Sequence, residues 1–126
     1  MNIVLNQRAI LVGRILSLLI VFQFCFSAFM KFSHNPKMFE VMAHLGIPNS
    51  LVLTIGVLEI VSTLFYAIPA TSVLGAILLT GYLGGAICSH LSVGDDIYLQ
   101  SILGIVIWLA LFLRDKRLRN LIPFRK

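Results

Sequence analysis

Apolar and polar positions alternate along this chain on the scale of whole membrane crossings. Four apolar stretches, at about 9–32, 50–68, 71–91 and 97–113, are separated by short polar breaks. A helix rises about 1.5 Å per residue and the hydrocarbon core of a bilayer is about 30 Å thick, so stretches of this length predict transmembrane helices. The clearest runs from Thr71 to His90, TSVLGAILLTGYLGGAICSH, with no charge before its final histidine. The predicted fold class is all-α: an integral membrane bundle of four transmembrane helices, forming a single domain over residues 1–126.

Polar residues inside the spans fall at helical spacing. In the first, Arg14, Ser17, Val21, Phe24, Ala28 and Lys31 recur at alternating steps of three and four and so share one stripe. A cation within a membrane faces protein or water, which points this stripe inward; the alternative is that Arg14 and Lys31 snorkel to opposite interfaces. In the second span Gly56, Glu59, Thr63 and Tyr66 form a similar stripe. A mid-span carboxylate costs on the order of 3 kcal/mol unless it is paired, hydrated or protonated, so Glu59 is either a functional group or half of an ion pair that locks the bundle. Arg14 is its expected partner.

The third span carries Gly81, Gly84 and Gly85, small residues of the kind that let helices approach closely in lipid. Its glycine face and the face bearing Ala76, Thr80, Leu83, Ile87 and His90 point in different directions. Either the helix is sandwiched within the bundle, the reading preferred here, or the glycines form an oligomer contact. Tyr82 and Thr80 lie near mid-span, where a hydroxyl needs an internal partner or a cavity. The fourth span holds Gly104 and Trp108 but no ionisable group, which suits packing and lipid contact.

The breaks carry their own signals. Asn35 then Pro36 reads as an N-cap followed by a first-turn proline, and Gly46 as a helix stop. Between them Met38, Val41, Met42 and Leu45 share one face, with Lys37, Glu40 and His44 on another, so residues 36–45 predict a short interfacial helix acting as a rim or lid. His34 and His44 are expected to be solvated or interfacial. Pro69 ends the second span and Thr71 is expected to cap the third, making those two helices antiparallel neighbours. Val93-Gly94-Asp95-Asp96 forms another turn, with Asp96 as the expected cap.

Composition sharpens this picture. The 126 residues are 59% hydrophobic and only 12% charged, too little polar surface for a soluble domain. Six of the ten basic residues lie from Arg114 to Lys126, so the net charge of +5 reads as a cytoplasmic anchor and not as a nucleic-acid footprint. That cluster predicts both termini in the cytoplasm of a multi-pass bacterial inner-membrane protein, with the rim helix outside. Cys25 and Cys88 are isolated from each other, and no Cys/His cluster suggests a metal site. The first apolar run is too long for a signal peptide and lacks its cleavage pattern.

The segments SAFMKF, IGVLEI, IPAT, LGAILLTGYLGGAICSH and WLALFLRDKRLRNLIP, in this order, resemble the DoxX-like family of small bacterial membrane proteins. The resemblance implies a four-helix membrane protein, related more distantly to DoxX and to the small DoxD-type subunit of thiosulfate:quinone oxidoreductase. It implies redox work at the membrane but brings no established catalytic residues. Lys31, Glu59, Tyr82 and His90 stand at positions matching its recurring motifs.

Three functions follow as expectations. The first is a small membrane component of a redox system that binds a quinone-like apolar molecule, with Glu59, Tyr82, His90 and Lys31 around a head that is polar or anionic. Because the sequence has no haem, flavin or iron-sulfur motif, electrons would come through a membrane or peripheral oxidoreductase partner. The second is a non-enzymatic scaffold or assembly partner docking through Gly81 and Gly85. The third is a small-solute or proton pathway along Lys31, His90, Glu59 and Arg14.

Overall fold

The computed structural model describes the backbone of residues 2–121 and the side chains of residues 6–121. It is helical throughout: α1 (Asn2–Phe32), α2 (Pro36–His44), α3 (Asn49–Ala67), a 3-10 turn at Pro69–Thr71, α4 (Ser72–Ser92), α5 (Tyr98–Arg114) and the short α6 (Lys116–Arg119). Three helical segments, 6–32, 49–67 and 69–92, are long and apolar enough to cross a membrane. The fourth, α5, is apolar but has 17 residues, about 25 Å of helix, at the lower limit for a crossing. The expected tail residues 122–126 lie outside the described part.

The long helices are arranged in a ring. α1 touches α3 and α5, and α4 touches the same two, so α1 and α4 stand at opposite corners. All four run antiparallel to their neighbours. One end, the rim end, carries α2 and the α4–α5 turn; the other, the tail end, carries the start of α1, the short α6 and the Pro69 turn. The core between the helices is built from Ile20, Phe24, Tyr66, Ala76, Leu79, Leu83, Ile107 and Leu111. The outward faces are large hydrophobics, such as Leu18 and Phe22 at 69% and 70% exposed, which in water would be an unsustainable surface and in lipid is the expected one.

Tyr66 ties three helices together. Fully buried on α3, its hydroxyl donates to the Ile107 carbonyl of α5 at 2.9 Å and lies 3.5 Å from Ser17 Oγ of α1. The Arg114 guanidinium sits 4.9 Å over its ring and donates to its carbonyl at 2.9 Å.

Register is set by glycines, but not by those of the expected packing motif. A Cβ on Gly75 would lie 2.6 Å from the Phe65 carbonyl carbon and closer still to the Tyr66 backbone, so α3 and α4 touch backbone to backbone there. A Cβ on Gly13 would meet Ala110 O at 2.7 Å and Arg114 N at 2.8 Å, which fixes α1 against α5. Gly81, Gly84 and Gly85, by contrast, would meet nothing within 4 Å. The expectation that they press against a helix within this chain is corrected: α4 is not sandwiched. Its buried face is Ser72, Gly75, Ala76, Leu79 and Leu83, and its glycine face is left open.

Of the caps, Asn35 behaves as expected, its Oδ1 accepting from the amides of Lys37 at 3.0 Å and Met38 at 3.4 Å. Gly46 takes a left-handed φ of 79°, the conformation that ends α2. Thr71 and Asp96 do not cap. The Thr71 hydroxyl turns back to donate to the Phe65 carbonyl at 2.8 Å, and the position before α5 is occupied by Ile97.

Candidate binding site

The residue that answers Glu59 is Lys31. Its Nζ donates to Glu59 Oε2 at 2.7 Å and to Ser27 Oγ at 2.8 Å, and both members of the pair are 1% exposed. The local geometry explains the meeting. The Cβ position of Gly56 lies 3.3 Å from Lys31 Cβ, so the lysine backbone is level with Gly56, and the absence of a side chain there lets its stem pass. Glu59 lies three residues deeper, about 4.5 Å along the axis. Side chains tilt toward the N-terminus of their own helix, and α1 and α3 are antiparallel; Lys31 therefore leans into the bundle and Glu59 leans back toward it.

The expected Arg14–Glu59 pair is thus corrected, for two physical reasons. With Lys31 level with Gly56, Glu59 is level with Ala28, and Arg14 is about 20 Å away along the axis, beyond any guanidinium stem. The seven-residue spacing of the inward stripe also drifts around a 3.6-residue helix. Five turns back from Lys31 the inward position is Gly13, and Arg14 has rotated outward to an exposed position.

The pair lies at the floor of a cavity of about 570 Å³ at the rim end. Met38, Val41 and Met42 of α2 with Leu45 just past its end form one wall, Leu51, Ile55 and Leu58 of α3 another, and Gly81, Tyr82, Gly85, Ala86 and His90 of α4 a third. Lys31, Glu59, Tyr82 and His90 therefore border one space, and Arg14 does not. The register explains the grouping: with Gly75 against Tyr66 in an antiparallel pair, Glu59 and Tyr82 are level. The Tyr82 ring packs edge-on against Phe24, with centroids 6.1 Å apart, and its hydroxyl is close enough to the Glu59 carboxylate to interact with it, with no hydrogen bond of 3.5 Å or less among the described residues.

The free hydrogen-bonding capacity here is specific. An ammonium has three donors, and Lys31 uses two of them; a carboxylate has two oxygens, and only Oε2 of Glu59 is engaged. Among the described residues Oε1 accepts no hydrogen bond of 3.5 Å or less, the Tyr82 hydroxyl is its near neighbour, and it is not sealed away from the cavity. The floor therefore offers one donor and one acceptor from a pair with no net charge, and the Tyr82 hydroxyl beside them can serve as either.

At the mouth, His90 donates from Nδ1 to the Ala86 carbonyl at 2.8 Å, since a carbonyl can only accept. Its Nε2 is then an acceptor and takes a hydrogen bond from Gln100 Nε2 at 3.2 Å. Gln100 Oε1 is buried without a partner, so reversing this amide would offer an acceptor to a doubly protonated ring. His44, expected to be solvated or interfacial, stays exposed but also pairs through Nε2 with Asp95 Oδ2 at 2.9 Å and so ties α2 to the α4–α5 turn across the opening. Gln23, Ser27 and Gln100 also line the cavity; Ser27 opens the SAFMKF segment, one turn before Lys31 on the same face, whereas Gln23 and Gln100 carry no motif signal.

A family model, that of the DoxX-like family, matches residues 15–113, nearly the whole helical bundle. The chain belongs to the DoxX-like family. The matched region includes α2 and every cavity residue named above, and it excludes Arg14. Comparison with curated proteins and with solved structures gives no match. Membership and the apolar helices together make this DoxX-like chain a multi-pass membrane protein in contact with the lipid bilayer.

Proposed function

We propose that this DoxX-like protein binds an apolar molecule with an uncharged, hydrogen-bonding head, of the quinone type, as the small membrane component of a redox system. The observation that carries the reading is the half-used Lys31–Glu59 pair at the floor of an otherwise largely apolar cavity. A site of this kind takes most of its affinity from apolar contact and its orientation from a few polar groups. Because Glu59 already neutralises Lys31, an anionic head gains little there. A carbonyl can accept from Lys31 or Tyr82, and a hydroxyl can donate to Glu59 Oε1. The open faces of Gly81 and Gly85 give a flat ring room to enter. Conversion of quinone to quinol takes up two electrons and two protons. Glu59, Tyr82 and Lys31 are placed to pass protons, and a membrane or peripheral oxidoreductase partner supplies the electrons.

The same open face bearing Gly81, Gly84 and Gly85 favours a place for that partner, or for a second copy of the chain, because nothing in this chain covers it. The pathway reading is less well supported, since Tyr66, Leu79, Ile107 and Leu111 pack tightly between the cavity and Arg14. The basic tail supports a cytoplasmic tail end in an inner membrane, with the cavity at the opposite leaflet.

The test is extraction of lipid from protein purified in mild detergent, followed by titration of the stripped protein with a short-chain benzoquinone. The reading predicts a co-purifying quinone-type molecule and saturable binding that is lost in Lys31→Met/Glu59→Gln. A protein that binds no quinone but holds a stoichiometric partner subunit would replace this reading with the scaffold one.

A further inference from the structure

A second cavity, of about 210 Å³, lies at the tail end and is lined by Arg14, Pro69, Ser72, Leu111, Arg114, Asp115 and Arg117. Among the described residues its charge is not balanced. The chain has five acidic residues, and only one of them, Asp115, is at this end; Glu59 is paired with Lys31, Asp95 with His44, and Glu40 and Asp96 stand at the rim. Asp115 is already committed. Its Oδ1 accepts from Arg117 N at 2.9 Å, capping α6, and from Arg117 Nε at 3.3 Å. Burial pushes its carboxyl up, but the hydrogen bonds from Arg117 outweigh this and hold it below the usual carboxylate range, so it is ionised at neutral pH.

Among the described residues Arg14 and Arg114 have no acidic partner, and the fold sets them side by side. Gly13 lies against the Arg114 amide, so the next residue of α1 is adjacent to the Arg114 side chain. Arg114 is held in place by its bond to the Tyr66 carbonyl and by the Tyr66 ring, while its buried Nε has no partner among the described residues. The first turn of the 21-residue α4 points toward the same space without a side-chain cap, adding the positive end of its dipole. The cavity stands where the apolar helices α3 and α5 end.

We infer that this cavity is an oxyanion site for a phosphate group, supplied by the headgroup of an anionic phospholipid. Arg14 and Arg114 supply the charge and the donors. Anionic lipid at this position fixes the depth of the tail end and clamps α1, α4 and α5 together, independently of what occupies the rim cavity.

The test uses the full chain in nanodiscs of phosphatidylcholine, with or without phosphatidylglycerol, and counts retained lipid by native mass spectrometry. Phosphatidylglycerol should be retained in preference to phosphatidylcholine. Arg14→Gln, at an exposed position outside the core, should lower that retention about five-fold, the effect of about one interfacial charge. Arg8→Gln, an exposed cation on α1 that does not line the cavity, serves as the control and should leave retention unchanged. Equal loss in both variants would mean diffuse surface attraction and would overturn the site, as would equal retention of the two lipids. Inorganic phosphate is the second arm: if it displaces the phosphatidylglycerol and protects the protein equally in lipid-free detergent, the lipid source is overturned in favour of soluble phosphate. Failure to displace supports the lipid.

Discussion

Neutralising one member of the Lys31–Glu59 pair should cost more than neutralising both. Both side chains are 1% exposed and their charged atoms are 2.7 Å apart, so each is the other's main compensation for leaving water. Removing one partner of a buried pair costs about 3–5 kcal/mol, because a lone buried charge remains. Glu59→Gln keeps an oxygen for the ammonium and should fall at the lower end, about 3 kcal/mol, or roughly a 150-fold rise in the unfolded fraction. Lys31→Met strands a carboxylate in an apolar cavity and should cost at least as much. In Lys31→Met/Glu59→Gln no charge is left, and the double variant should be less destabilised than either single, and so fall short of their sum by about 3 kcal/mol or more. Reversible unfolding of the four proteins in bicelles, followed by circular dichroism, measures the cycle. Additivity within about 0.5 kcal/mol would show that the two groups do not compensate each other and would refute the reasoning.

Other outcomes follow from the same contacts. Gly75→Ala should prevent stable folding, since its Cβ would enter the Tyr66 backbone, whereas Gly84→Ala, with nothing within 4 Å, should be neutral or gain up to about 1 kcal/mol of helix propensity; thermal stability in detergent checks both, and strong destabilisation by Gly84→Ala would reveal a contact with another subunit. His44→Ala breaks the link from α2 to Asp95, a partly exposed pair worth about 0.2–1 kcal/mol, and should speed release of a bound benzoquinone by up to about five-fold in a stopped-flow displacement assay, an unchanged rate removing the lid role of α2. In a background without Cys25 and Cys88, a cysteine at Asn35 should react with an impermeant maleimide on intact cells and one at Asn120 should not; the reverse pattern would invert the orientation.

The helices were legible because hydropathy reports the solvent directly: a residue facing lipid has to be apolar whatever its neighbours are. Lys31, Glu59, Tyr82 and His90 stood out for the complementary reason, as polar groups in segments that tolerate few. Register was not legible. It depends on where two backbones touch, and Gly13, Gly56 and Gly75 look no different in sequence from Gly81, Gly84 and Gly85, which touch nothing in this chain. An Arg14 partner for Glu59 followed from aligning the two spans at the tail end; with Lys31 level with Gly56, the 31-residue α1 runs past the end of the 19-residue α3, and Arg14 lies in that overhang. The His44–Asp95 and Gln100–His90 contacts join segments that the sequence holds apart, and neither has a local signature.

The most direct test of the binding account is photo-crosslinking with an azido-benzoquinone in native membranes, mapped by mass spectrometry. The account predicts adducts on the cavity walls, in the Met38–Leu45 and Tyr82–His90 segments, suppressed by excess unlabelled quinone and absent from Lys31→Met/Glu59→Gln. Adducts confined to the lipid-facing residues Leu18 and Phe22, or labelling that excess quinone does not suppress, would contradict it.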